Sequence, residues 1–86
     1  MQWTADQVQE EVVKLLQQFN PKGIELTPDT DLSADLFMDS VAAMNLVMEI
    51  EDRFEIDIPI SLLPDVNSLR DMVGVVLAQL SKDQAV

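Results

Sequence analysis

The sequence predicts an all-α fold, a small bundle of three main helices and one short helix, with a long loop between the first and second. Three observations carry this expectation. Apolar residues recur at helical spacing in three separate segments, no stretch alternates long enough to make a strand, and prolines with turn-forming residues fill the gaps. With 86 residues, two independent cores would each be too small to hold together, so residues 1–86 are expected to form one domain, ordered over about residues 4–80.

Thr4 and Gln7 are spaced as a capping box, and Val8, Val12, Leu15, Leu16 and Phe19 follow as one apolar stripe. Asn20-Pro21 stops this first helix, because proline cannot continue the hydrogen-bond ladder. From Asn20 to Asp39 no period is visible. A loop of that length in a compact domain is functional or pinned down, and Ile24, Leu26, Leu32, Leu36 and Phe37 are the expected pins. A short helical turn fits residues 31–36. The second helix runs from Ser40 to Arg53 or Phe54, in good helix formers without glycine or proline. Asp57-Ile58-Pro59 ends it, since the residue before proline is pushed out of the α region. Glu55–Ile58 is the nearest approach to strand alternation. Ile60–Leu63 suggests a short helix before Pro64. Asn67 or Ser68 then caps a last helix with the stripe Leu69, Met72, Val73, Val76 and Leu80. Gly74 within it suggests a close helix contact, and residues after Leu80 are expected to fray.

The charge balance narrows the function classes. Sixteen acids against five bases leave a net charge of −11, which repels nucleic acid and anionic membrane surfaces and favours basic partners. There is no histidine and no cysteine, so the commonest proton-transfer group and the thiol nucleophile are both missing. The chain is therefore expected not to be an enzyme. The first residues, Met1-Gln2-Trp3-Thr4, show neither the basic stretch nor the apolar core of a signal peptide. No apolar run reaches membrane-spanning length. A cytoplasmic protein without stable membrane insertion is the expectation.

The second helix has two faces. At about 100° per residue, Ala43, Leu46, Val47, Ile50 and Phe54 form an inward stripe. Val41, Met44 and Met48 fall on another side with Glu51, Asp52 and Glu55. Flexible methionines among acids suit a docking surface; alternatively the three apolar residues pack under the long loop and the acids are a solvated face. At this helix's start stands Asp39-Ser40. Either residue could serve simply as an N-cap.

Leu36-Phe37-Met38-Asp39-Ser40-Val41, then Met44 through Phe54 and Ile58-Pro59, resembles the acyl carrier protein family, and the likeness extends over essentially the whole chain. In that family the serine of an Asp-Ser-Leu motif bears 4′-phosphopantetheine. The resemblance implies that Ser40 is the attachment residue, that Asp39 positions it, and that Val41, Met44, Met48, Glu51, Asp52 and Glu55 contact partners. It implies a monomeric carrier of acyl thioesters, served by a phosphopantetheinyl transferase and by acyl-transferring or condensing enzymes with basic docking patches. Fatty-acid, specialised lipid and polyketide synthesis all use such carriers. The inner stripe would border a cleft that shelters the acyl chain. Three positions depart from the family pattern: Phe37 where glycine is frequent, Val41 in place of leucine, and Asn45 in place of an acid. They imply a specialised member. An aminoacyl or peptidyl carrier is the alternative, but Phe37-Met38-Asp39-Ser40 lacks the glycines of Gly-Gly-x-Ser. An acidic interaction module is a further alternative. Asp29, Asp31, Ser33, Asp35 and Asp39 are spaced closely enough to attract calcium, yet Ala34 and Ser40 occupy the positions where an EF-hand needs glycine and glutamate.

Overall fold

A computed structural model of the chain describes residues 3–84. Helix α1 spans Ala5–Leu16, α2 spans Ser40–Phe54 and α3 spans Leu69–Gln84. Short 3₁₀ helices cover Gln17–Phe19 and Ile60–Asp65. Helix α1 packs against both α2 and α3.

The capping box closes reciprocally: the Gln7 amide donates to Thr4 Oγ1 at 3.1 Å, and the Thr4 amide donates to Gln7 Oε1 at 3.0 Å. Val8, Val12 and Leu16 of α1 are fully buried. The Trp3 ring meets Phe54 edge-on at 4.7 Å, and Glu11 pairs with Arg53 at 2.8 Å. Gln18 bonds Glu49 further along. Rising numbers on α1 therefore meet falling numbers on α2, and the two helices run antiparallel. From α2, Leu46, Val47, Ile50 and Phe54 enter the core, joined by Leu69, Met72, Val73, Val76 and Leu80 of α3.

The loop between α1 and α2 is ordered by polar groups that reach across the chain. Asn20 is buried, and its side-chain amide both donates to the Ile24 carbonyl at 2.9 Å and accepts from the Ile24 amide at 3.0 Å. Gly23 turns the chain inside that clamp with φ +63°, a conformation glycine adopts without strain. Further on, the Leu32 amide donates to the Asn67 carbonyl, the Leu69 amide to Thr30 and the Arg70 amide to Pro28, at 2.9–3.0 Å. These bonds tie the loop to the start of α3 and satisfy backbone that no helix serves. Leu32 and Leu36 are buried; Ile24 and Leu26 are half-buried against the core. Phe37 is not a pin. Its φ is +55°, and its ring is 71% exposed with Lys22 Nζ 4.9 Å above its centre. The left-handed backbone turns this side chain out of the core, and glycine is the residue such a backbone favours.

Residues 31–36 form the expected turn. The Asp35 amide donates to the Asp31 carbonyl, while Asp31 Oδ1 accepts from the amides of Ser33 and Ala34 and from the Ser33 hydroxyl. Those donors, the Ala34 amide foremost, hold the Asp31 carboxyl below its ordinary pKa. A depressed folded pKa contributes stability above the unfolded value, and that contribution is lost as pH falls through the folded one. Asp31→Asn is accordingly expected to be less stable than the parent at pH 7. The gap in thermal midpoint should narrow once the pH drops below about 4, the ordinary carboxylate range. A gap that does not change with pH would mean the charge of Asp31 contributes nothing.

Two expectations about the later elements change. The short helix after Pro59 is 3₁₀ and, rather than stopping before Pro64, continues through it to Asp65. Its turn bonds run from Leu62 to Pro59 and from Val66 to Leu63, so the missing proline N–H is not needed. Helix α3 continues to Gln84, beyond the last stripe residue, Leu80; residues 85–86 lie outside the described residues. Gly74 makes no close helix contact, because a Cβ built on it meets nothing within 4 Å. Gly74→Ala is thus expected to stabilise the protein by up to about 1 kcal/mol. That corresponds to roughly 4–8 °C in thermal midpoint for a domain of this size. A lower midpoint would show that the site is packed after all.

Candidate functional site

The loop meets α2 at Asp39-Ser40. Asp39 is the cap: its Oδ1 accepts from the Ala42 amide at 2.8 Å, and its carbonyl accepts from Ala43 at 2.9 Å. Ser40 is the first residue of the helix and is exposed. Among the described residues its hydroxyl has no hydrogen-bond partner, and the amides of Ser40 and Val41 are left without an acceptor. Asp39 thus satisfies the third amide and leaves the first two at the positive end of the helix dipole.

Side chains on α2 divide cleanly. At about 100° per residue, Ser40, Glu51, Met44, Glu55, Met48, Val41 and Asp52 fall within a sector of roughly 120°. The buried residues Leu46, Ile50, Phe54 and Val47 occupy a separate sector of roughly 100° that borders the first at Ser40. Val41 is 68% exposed, Met48 55% and Met44 39%, so these three do not pack under the loop. Met48 shares an open groove of about 560 Å³ with Glu51, Asp52, Glu55 and Asp57.

Glu51 has a second task that periodicity did not reveal. Its Oε2 accepts from the Ile58 amide at 2.8 Å and holds the chain where it leaves the helix through Glu55, which adopts φ +55°. Ile56 and Ile58 are buried and Glu55 and Asp57 exposed, an alternation produced by this braced extended linker. Asp52 and Glu55 are exposed. Three acids of the long loop already have partners: Asp31 accepts from its own turn, Asp35 from the Asp31 amide, and Asp29 pairs with Arg70 at 2.9 Å.

Beside the junction, Ala43, Leu46 and Val47 of α2 line an apolar cleft with Leu63, Val66 and Met72; its volume is about 90 Å³. A wider groove lies between the two ends of the loop, walled by Phe19 of the 3₁₀ helix after α1, by residues 20–22 and 35–38 and by Ala42. Sequence periodicity could not find that groove, since Lys22 and Phe37 sit in a segment without a period. The one available signal was Phe37 itself, standing where glycine is frequent in the resembling family. Among the described residues no helix is long and apolar enough to cross a membrane.

Comparison with known proteins agrees with this arrangement. Residues 6–76 match the family model described as "Phosphopantetheine attachment site". A "Probable acyl carrier protein" of Caulobacter vibrioides is 37% identical over 51 residues, which cover 59% of each chain. An acyl carrier protein of Rickettsia bellii is 29% identical over 70 residues, covering 80% of this chain and 81% of that one. One from Streptomyces coelicolor is 49% identical over 35 residues, covering 41% of this chain and 38% of its own. The chain thus spans less than two thirds of the Caulobacter protein. An exposed serine with free helix-end amides fits a phosphate-linked arm, and a family match over residues 6–76 covers the bundle from α1 into α3. The chain belongs to the acyl carrier protein family, and its prosthetic group is 4′-phosphopantetheine.

Proposed function

We propose that Ser40 is the phosphopantetheine attachment residue and that the protein, not itself an enzyme, carries acyl groups between partner enzymes. The observation that carries this reading is an exposed Ser40 hydroxyl, without a hydrogen-bond partner among the described residues, at the start of a helix capped by its neighbour Asp39. The other serines are less suited. Ser33 donates to Asp31, Ser68 caps α3 by accepting from the Asp71 amide, and Ser61 lies within a 3₁₀ helix. Ser81 falls outside the residues of the family match.

When bound, the group supplies a terminal thiol on which an acyl chain is held as a thioester. The protein's own residues accept and present it. In modification the Ser40 Oγ–phosphorus bond would form as the pyrophosphate bond of coenzyme A breaks, adenosine 3′,5′-bisphosphate leaving and the serine proton passing to a base on the transferase. The amides of Ser40 and Val41 face the resulting anion. Asp39 keeps the serine at the helix start. The apolar cleft edged by Ala43, Leu46 and Val47 offers shelter to the chain's first carbons. Relatives named acyl carrier proteins favour acyl over aminoacyl cargo. Intact-protein mass after incubation with coenzyme A, Mg²⁺ and a broad-specificity phosphopantetheinyl transferase tests the reading. A single adduct is expected; a folded protein that takes none would refute it.

The transferase and the acyl-handling enzymes are proposed to dock on the α2 face bearing Val41, Met44, Met48, Asp52 and Glu55, with Glu51 contributing charge while bracing Ile58. Because Glu51 also holds the fold, the test should spare it. Reversing Asp52 and Glu55 to lysine is expected to lower kcat/KM for modification about tenfold at low salt. The loss should shrink at high salt as screening removes the steering. An equal rate at low salt would place docking on another face.

A further inference from the structure

Among the described residues Phe37 is the most exposed large hydrophobic side chain, at 71%, and Val41 follows at 68%. They stand three residues before Ser40 and one residue after it. A single exposed apolar residue is ordinary on a protein surface. What sets Phe37 apart is its backbone, held at φ +55°. That conformation is costly for a bulky residue and free for glycine. The core gains nothing in return, because the Phe37 ring is not part of it. Strain kept near a functional residue points to a use for the side chain.

Chain geometry narrows that use. Three residues span at most about 11 Å, so the Cα atoms of Phe37 and Ser40 are no farther apart than that. A helix with its side chains is only about 10–12 Å across. A partner of ordinary interface size covers about 800 Å² of each protein, a patch roughly 16 Å in radius. Phe37 shares its groove with Ala42, on a flank of α2 away from Ser40. An enzyme that closes on the Ser40 hydroxyl nevertheless reaches over the narrow end of α2 to that flank.

The ring is also held in place. Lys22 Nζ lies 4.9 Å from its centre, a cation–π contact that orders it. An ordered aromatic loses less freedom on burial than a mobile one, and aromatic side chains are frequent anchors of protein interfaces. The charge beside Phe37 differs from that of the outer α2 face, where Asp52 and Glu55 are exposed. The surface that meets Phe37 is therefore an apolar recess, separate from the basic patch that meets those acids.

We infer that Phe37 anchors the phosphopantetheinyl transferase, its ring seated in an apolar recess beside that enzyme's active site. The inference rests on Ser40 being the attachment residue. It extends the docking surface from the outer face of α2 onto the long loop.

Steady-state modification by the broad-specificity transferase, with coenzyme A saturating and the carrier varied, tests this. Phe37→Gly and Phe37→Asn both suit a left-handed backbone, and the asparagine variant does so without the added freedom of glycine. Each is expected to raise the KM for the carrier about tenfold while kcat stays within about twofold, the signature of lost binding. Phe37→Tyr, which keeps the ring, should behave like the parent. The thermal midpoints of the glycine and asparagine variants should stay close to the parent's, since the ring is outside the core. An unchanged KM in either of those two variants, or a loss confined to kcat, would overturn the inference. Complete conversion to the single adduct on long incubation would, in that case, leave Ser40 as carrier. A parent that takes no adduct, or an adduct that survives Ser40→Ala, would refute the carrier reading and the inference with it.

Discussion

Ser40→Ala is expected to abolish phosphopantetheine attachment, with no adduct by intact mass, while the protein keeps its helices and its thermal midpoint. The two halves of this result follow from different features. Loss of attachment follows because no other hydroxyl on the α2 start is available: Val41, Ala42 and Ala43 come next. Retained stability follows because the cap belongs to Asp39, not Ser40. An exposed hydroxyl with no described bond contributes within about ±0.5 kcal/mol, and alanine is the better helix former. An adduct persisting on Ser40→Ala would move the attachment residue elsewhere. A large drop in midpoint would instead mean that Ser40 stabilises the helix end.

Ile50→Ala should have the largest effect on stability. Ile50 is completely buried, at the middle of the inward stripe of α2 between Leu46 and Phe54. Truncating it removes buried methyl and methylene groups and leaves a cavity, at a cost of about 2–5 kcal/mol. A domain of this length is stable by only about 4–13 kcal/mol, so the loss consumes a large part of the total. The urea midpoint is expected to fall by about 1 M or more with an unchanged slope. The adjacent surface supplies the control: Met48→Ala, at an exposed position, should shift the midpoint little. If the two variants behaved alike, the division of α2 into an inner and an outer face would be wrong.

That division was legible in the sequence because it is local. The positions of Leu46, Val47, Ile50 and Phe54 repeat with the helical period, and the acids fall between them. The capping box at Thr4 and Gln7 was legible for the same reason, as was the cap before α3. There the Ser68 and Asp71 side chains each accept from the other's amide. In each case the partners lie within four residues, so spacing alone implies contact. Asp39-Ser40 was legible as a junction, though which of the two makes the cap depends on side-chain direction. Gly74 shows the limit even within a helix. Its presence suggested a close approach, but whether another helix lies over it is a matter of packing.

The sequence by itself determined three helices, their inner faces, the acidic outer face of α2 and the placement of a serine at its start. Those features depend on neighbours three or four residues away, where helical geometry turns order into proximity. Only the tertiary structure decided the course of the long loop, the brace from Glu51 to Ile58, the exposure of Phe37 and the groove it walls with Lys22. The loop is held by pairing Leu32 with Asn67 and Thr30 with Leu69, residues more than thirty positions apart that no period relates. Phe37 was misplaced among the core pins because hydrophobicity predicts burial, whereas the sign of φ at residue 37 sends the ring outward.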